Sequence, residues 1–180
     1  MSKLETNTID TISGSNTLTL GGTNLSTINM ASGVSPGTGM GKVLQVVQGT
    51  TATQVNFTST SSYADTGLSA AITPSSTSNK VLIQVSQMFR VERYGGDIRI
   101  LRDSTSIFQP TGGATYTFYS DPGSSVNYRG YACLNFLDSP SSTSAITYKT
   151  QGIQHNSGGD FKVQDGNYYT STITLMEISA

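Results

Sequence analysis

An all-β chain is what this sequence predicts: a short strand-turn segment followed by a β-sandwich. Three observations carry that expectation. Ser and Thr make up 52 of the 180 residues, and Thr, Tyr, Val and Ile alternate with Gly, Ser and Asn punctuation throughout. Such a mixture favours strands and turns over helices. Second, no stretch carries apolar residues at helical spacing. Third, the segments with clear alternation recur at short, regular intervals from Lys42 to the end, the pattern of a sandwich or barrel.

The first region, residues 1–30, carries isolated apolar beats in a polar background: Leu4, Ile9, Ile12, Leu18, Leu20, Leu25, Ile28 and Met30. "TISGSNTLTLGG" reads as a brief strand, a Ser-Gly turn, an alternating strand with Leu18 and Leu20 on one face, and a Gly-Gly turn. Ordering a backbone costs roughly 1–2 kcal/mol per residue. Burying each large apolar side chain returns only about 1.5–3 kcal/mol. Eight such side chains cannot close a core alone, so the segment is either disordered in isolation or ordered by copies of itself or a larger assembly. Ile9, Ile12, Leu18, Leu20, Leu25 and Ile28 are therefore the candidate attachment and oligomer contacts.

Residues 31–41 form a Gly/Ser/Pro linker. Within it and its edge, "GVSPGTGMGK" invites a phosphate-loop reading, but the first glycine of a Walker pattern would fall on Pro36 and its Ser/Thr on Val43. The dinucleotide pattern fails too, because Gly37, Gly39 and Gly41 are spaced two and two. The stretch is a joint.

Residues 42–180 are the sandwich. Candidate strands are 42–48, 52–58, 63–72, 80–92, 97–103, 106–109, 115–119, 128–138, 144–154, 160–164 and 167–178. "KVLIQVSQMFRVE" puts Val81, Ile83, Val85, Phe89 and Val91 on one face. "YRGYACLNFLD" puts Tyr128, Ala132, Leu134 and Phe136 on one face and Cys133 on the other; as the sole cysteine it is expected to be a small buried apolar residue. Two dipeptides suit type I′ hairpins. Asp165-Gly166 would set Gln164 opposite Asn167 and Val163 opposite Tyr168. Gly95-Gly96 would set Val91 opposite Ile100 and Glu92 opposite Arg99. Seven of the chain's charges, from Arg90 to Asp103, cluster around that second turn, either neutralising one another across strands or forming a recognition patch or an inter-subunit ion-pair belt. The last strand, "STITLMEIS", is apolar on both faces: Ile173 and Leu175 on one, Met176 and Ile178 on the other. The second pair is a candidate subunit interface, most simply threefold.

Composition narrows function. Charged residues are only 12% of the chain and the net charge is −1, too sparse and balanced for nucleic acid. No apolar run is long enough to span a membrane and no signal-peptide pattern opens the chain, so a soluble product of a cytosol is expected. Catalysis has little to stand on. His155 is the sole histidine, set in a loop-like stretch without a nucleophile elbow, and reads as an exposed turn residue. The acids Asp97, Asp103, Asp121, Asp160 and Asp165 sit at expected turns. No metal-loop spacing occurs. No catalytic, cofactor or metal residue is assigned, and the chain is expected not to be an enzyme. Recognition remains, with Tyr94, Asp97, Tyr116 and Tyr119 the candidate glycan contacts, since aromatic faces beside polar groups suit sugar rings.

"ADTGLSAAITPSSTSNKVLI", "ILRDSTSIF", "LDSPSSTSAITYKTQ" and "STITLMEISA" resemble a C-terminal module of structural and fibre proteins of marine bacteriophages. "TISGSNTLTLGG" is similar to the strand-rich N-terminal stretches of phage tail-fibre and virion appendage proteins. The resemblance spans about 2–30 and 42–179. It implies a virion component made in a host cytoplasm, a homotrimer with a jelly-roll knob similar in shape to C1q and tumour necrosis factor. Residues 1–30 would contact other virion proteins, and the knob would attach to a host-surface glycan as a tail fibre or fibre tip. The alternative it implies is a capsid decoration or head fibre anchored through the same segment.

Overall fold

A computed structural model describes residues 42–110, 117–121, 123 and 126–180. The expected fibrous segment with Ile9, Ile12, Leu18, Leu20, Leu25 and Ile28, the linker before Lys42, and Tyr116 lie outside them.

The described residues form eleven strands: β1 (Val43–Thr51), β2 (Val55–Phe57), β3 (Ala64–Ile72), β4 (Lys80–Glu92), β5 (Tyr94–Arg102), β6 (Thr105–Phe108), β7 (Phe118–Ser120), β8 (Tyr128–Asp138), β9 (Ile146–Gln154), β10 (Asp160–Val163) and β11 (Ser171–Ile178). One 3-10 turn, Asp165–Asn167, is the only helical element among them. The strands make two antiparallel sheets, the all-β sandwich that alternation predicts.

In the first sheet β4 is the spine. β8 pairs with one of its edges from Val81 to Val91 without a register shift. The other edge is shared: β11 covers Lys80–Ser86 and β10 covers Phe89–Glu92. β1 pairs in turn with β11, and β2 with β10. β10 and β11 are thus one interrupted lane, and so are β2 and β1. In the second sheet the lanes run β3, β9, β5 and then β7 and β6 in succession along β5's far edge. Counted by lane, the sheets are β1/β2–β11/β10–β4–β8 and β3–β9–β5–β6/β7, a jelly-roll-like order.

Period-two alternation puts Val81, Ile83, Val85 and Val91 of β4 inside, with Ile173 and Leu175 of β11 and Leu134 of β8. Ile98, Ile100, Ile146, Leu68 and Ile72 meet them from the second sheet. Each such side chain contributes about 1.5–3 kcal/mol by leaving water.

Both expected hairpins are corrected. β4 and β5 belong to different sheets, so Val91 faces Tyr128 and Phe161, while Ile100 faces Thr150 and Phe108. The chain crosses between sheets at Arg93 and Tyr94, which take left-handed φ values of 57° and 53°. Gly95 and Gly96 are strand residues. A Cβ on Gly96 would lie 2.2 Å from the Phe161 ring and 2.5 Å from the Ile153 carbonyl oxygen, so these glycines serve close approach. Asp165-Gly166 also joins no hairpin. It lies in an excursion, residues 164–170, that interrupts the β10/β11 lane, and Val163 faces Phe89 and Val55. Left-handed Gln164, Gly166 and Asn167 shape the excursion. The Gln54 amide N–H donates to Asn167 Oδ1 at 2.6 Å, tying it to the gap between β1 and β2. The Met88 N–H donates to Ser171 Oγ at 2.9 Å, closing the lane again.

Gly96→Ala should cost about 1–3 kcal/mol by forcing the Phe161 ring or the β9 backbone aside. A lowered urea midpoint with unchanged slope is the expected reading; an unshifted midpoint would show that the site has room.

Candidate functional site

A sandwich with a filled interior offers its two outer faces, and alternation makes them differ. On the first sheet, register aligns Val46, Met176, Leu82 and Leu137 in one row across all four lanes. The outermost two, Val46 and Leu137, are 58% and 48% exposed. The next row is Gln48, Thr174, Gln84 and Asn135, and the one after is Thr50, Thr172, Ser86 and Cys133. Two hydrogen bonds run along the amide row: Gln48 Nε2 to Thr174 Oγ1 at 3.0 Å and Gln84 Nε2 to Asn135 Oδ1 at 3.3 Å. No charged residue occurs in these three rows. Met176 and Ile178 lie on this face, half-buried, as the two-sided apolar pattern of β11 requires. Cys133 is exposed, which corrects the expectation of burial: its strand neighbours Ala132 and Leu134 take the core side.

Charge lies beyond these rows at both ends of that face: Lys80 sits opposite Ile178 at one end, and a cluster of ion pairs holds the other. Arg90 meets Glu92 at 2.8 Å and Asp160 at 3.1 Å, Arg129 meets Asp165 at 2.8 Å, and Lys162 meets Asp160 at 3.2 Å. Three cations face three anions, so the end is neutral. The charge cluster read from the sequence is therefore divided between sheets, since Asp97, Arg99 and Arg102 lie on β5. Arg102 turns to the rim of the sandwich, where its Nη1 meets Asp138 Oδ2 at 2.9 Å. The Tyr148 hydroxyl donates to the same oxygen at 2.7 Å; burial, and then that carboxylate, push the Tyr148 phenol up.

The outer face of the second sheet carries a connected polar string. Lys149 Nζ meets Asp65 Oδ2 at 2.9 Å, and Gln151 Nε2 donates to Asp65 Oδ1 at 2.7 Å. Arg99 gives Nε and Nη2 to Gln151 Oε1 at 3.1 and 2.7 Å. The Arg99 guanidinium lies 3.9 Å from the centroid of the Tyr63 ring, a cation–π contact. The Tyr63 hydroxyl in turn donates to Asp97 Oδ2 at 2.9 Å. Burial and the Asp97 carboxylate push the Tyr63 phenol up. Asp65's carboxyl is held below its usual value: burial acts against this, and the hydrogen bonds from Lys149 and Gln151 outweigh it.

The candidate glycan contacts are not brought together. Asp97 is fully buried, accepting from Tyr63, from Gln109 Nε2 at 3.0 Å, from the Ile98 N–H at 2.9 Å and from the Thr117 hydroxyl, so it is no surface contact. Tyr119 is exposed on β7 opposite Gly95, whereas Tyr94 pairs with buried Ser120. That register points the two rings to alternate sides. The Tyr94 ring packs over Gly158. His155 is half-buried rather than exposed, its backbone N–H donating to the Gly95 carbonyl at 3.1 Å. Among the described residues no group of three or more His, Cys, Asp or Glu side chains is placed to hold a metal ion. No family model matches the chain, and no curated protein is similar enough to align with it.

One buried carboxylate governs the end of the sandwich where β11 finishes. Glu177 is 1% exposed, and among the described residues no cation pairs with it. Its Oε1 accepts from the Ser75 N–H and hydroxyl, both at 2.7 Å, and from Asn79 Nδ2 at 2.6 Å; Oε2 accepts from Gln45 Nε2 at 2.6 Å. Burial alone would raise its pKa, but these donors lower it from 4.5 to about 2. The latch joins β1, β11 and the β3–β4 loop. A depressed pKa means stability that is complete above about pH 4.5 and lost as pH falls towards 2. Glu177→Gln should be less stable at pH 7 by roughly 1.5–3 kcal/mol, the range for a hydrogen bond to a charged group. Chemical denaturation at pH 7, 4 and 2.5 should show the gap from the parent narrowing with acid; a constant gap would refute the latch.

Proposed function

We propose that this chain is a structural protein of a bacteriophage particle, a tail fibre or fibre tip. In this reading residues 42–180 form a trimeric jelly-roll knob and residues 1–30 bind other virion proteins. The knob attaches to the host surface by adhesion, without catalysis, and the surface ligand is a glycan. The observation that supports it best is the outer face of the first sheet. Three uncharged rows, one of them entirely apolar, are an interface pattern: cores of protein–protein contacts are depleted in charge, and free surfaces seldom present such a row across a whole sheet. Met176 and Ile178 belong to this face together with Val46, Leu82 and Leu137. A second copy covers it with little cost for removing charge from water.

Val46→Glu and Leu137→Glu place carboxylates in the apolar row at positions already exposed in one copy, so folding is spared. Light scattering on a sizing column should read three copies for the parent and one for the variants. Maleimide should label Cys133 slowly in the parent and quickly in the variants. The parent knob should block particle adsorption to host cells more strongly than the dissociated variants. A parent that elutes as a folded single copy would end the trimer reading, and adsorption indifferent to excess knob would end the attachment reading.

A further inference from the structure

The second sheet's outer face has a different chemistry, and it extends the attachment reading on which it rests. On β3, residues 66–68 bulge opposite Thr150 alone, because Asp65 pairs with Gln151 and Ser69 with Lys149. Gly67 takes a left-handed φ of 81°, and its neighbours Thr66 and Leu68 both turn into the core. The bulge leaves a cavity of about 70 Å³ lined by Asp65, Gly67, Leu68, Ser69, Lys149 and Thr150. It adjoins the string Lys149–Asp65–Gln151–Arg99 directly, through Asp65 and Lys149.

We propose that this face, centred on that string and the cavity beside Gly67, binds a neutral saccharide. Every member of the string is held by its neighbour and keeps hydrogen-bonding capacity. Lys149 uses one of three donors on Asp65, Gln151 one of two on the same carboxylate, and Arg99 two of five on Gln151. Donors and acceptors side by side in fixed positions match adjacent hydroxyls of a sugar ring, which give and accept hydrogen bonds at once. The Lys149–Asp65 pair, and Arg99 with the Asp97 carboxylate to which the Tyr63 ring and hydroxyl link it, leave the string without net charge. An anion such as phosphate or a uronate gains little there. The cavity has room for a single substituent, such as a hydroxymethyl group, and among the described residues no row of exposed large apolar side chains on this face competes for a protein partner.

The test uses the full chain in ligand-observed saturation-transfer NMR with methyl glucoside, methyl galactoside, N-acetylglucosamine, glucuronate and inorganic phosphate. At least one neutral sugar should bind, and Lys149→Met and Gln151→Leu should each weaken it by about tenfold or more, the loss expected for a hydrogen bond to a charged or fixed polar group. Thermal melts check folding. Lys149→Met, whose hydrogen bond is to Asp65 alone, decides the matter where Gln151→Leu fails to fold. Sugar binding indifferent to Lys149→Met places the saccharide elsewhere and overturns this site while leaving adhesion standing. Binding of glucuronate or phosphate but no neutral sugar overturns the ligand class. No binding by any of the five overturns the inference, and the adsorption assay then judges the attachment reading separately.

Discussion

The sandwich is built around a stack of four phenylalanine rings. Phe161 on β10 lies 5.3 Å from Phe57 on β2 and 5.9 Å from Phe118 on β7, and Phe118 lies 4.0 Å from Phe89 on β4. Three of these rings come from the first sheet and one from the second, so the stack joins the two. Facing sheets are spaced about 10 Å apart, and rings of this size fill that gap only where the opposing backbone carries nothing. Gly96 and Gly152 supply the two bare positions. A Cβ on Gly152 would come within 2.6 Å of the Phe57 ring, as one on Gly96 would meet Phe161. β5 must therefore be bare at Gly95 and Gly96, and the turn that feeds it falls just before them, on Arg93 and Tyr94.

From that one constraint the charges of residues 90–103 acquire their places. Because the crossover lies at Arg93 and Tyr94, Arg90 and Glu92 stay on the first sheet, whereas Arg99 faces outward on the second. The excursion at 164–170 then completes the first set, since it carries Asp165 to within 2.8 Å of Arg129. Without the interruption, that lane would run straight from Val163 into Ser171, and Arg129 would lack its carboxylate. Gln54, in the gap between β1 and β2, holds the excursion at Asn167 and at the Gly166 N–H. Two breaks in adjacent lanes thus stabilise each other.

Much of the fold was legible because burial on one side imposes a period of two. Alternation marks β4, β8, β9 and β11 to within a few residues, and it names the inner set of β4. The two misread turns share one cause. Gly-Gly and Asp-Gly report a backbone without steric restriction, and either a hairpin or a ring pressed against the chain uses that freedom. Only the partner strand distinguishes them. Cys133 differs: parity along β8 puts it on the outer face, and the apolar character of a thiol does not override parity. The polar string was illegible for a third reason. "ITYKTQ" sets Lys149 and Gln151 on one side of β9, yet Asp65 and Arg99 arrive from strands some eighty and fifty positions earlier. Local pattern names the face and cannot name its neighbours. Asp97 shows the same limit, since its burial is made by Tyr63, Gln109 and Thr117.

The two outer faces follow from the same alternation and yet favour different partners. Removing water from Val46, Met176, Leu82 and Leu137 is favourable, and the hydroxyl and amide rows beside them demand only modest hydrogen-bond replacement. Removing water from Arg99, Lys149 and Asp65 would cost several kcal/mol per ion unless the incoming surface matched each of them. A flat protein surface rarely does so, whereas a small polyhydroxyl ligand leaves the charged groups partly wet and bonds to their spare valences. Self-association through the first sheet would leave the second turned to solvent in every copy. Repetition then matters more than affinity at one site, because tethered copies raise the effective local concentration for each further contact. On the proposed trimer, weak, polar recognition on such a face would suffice.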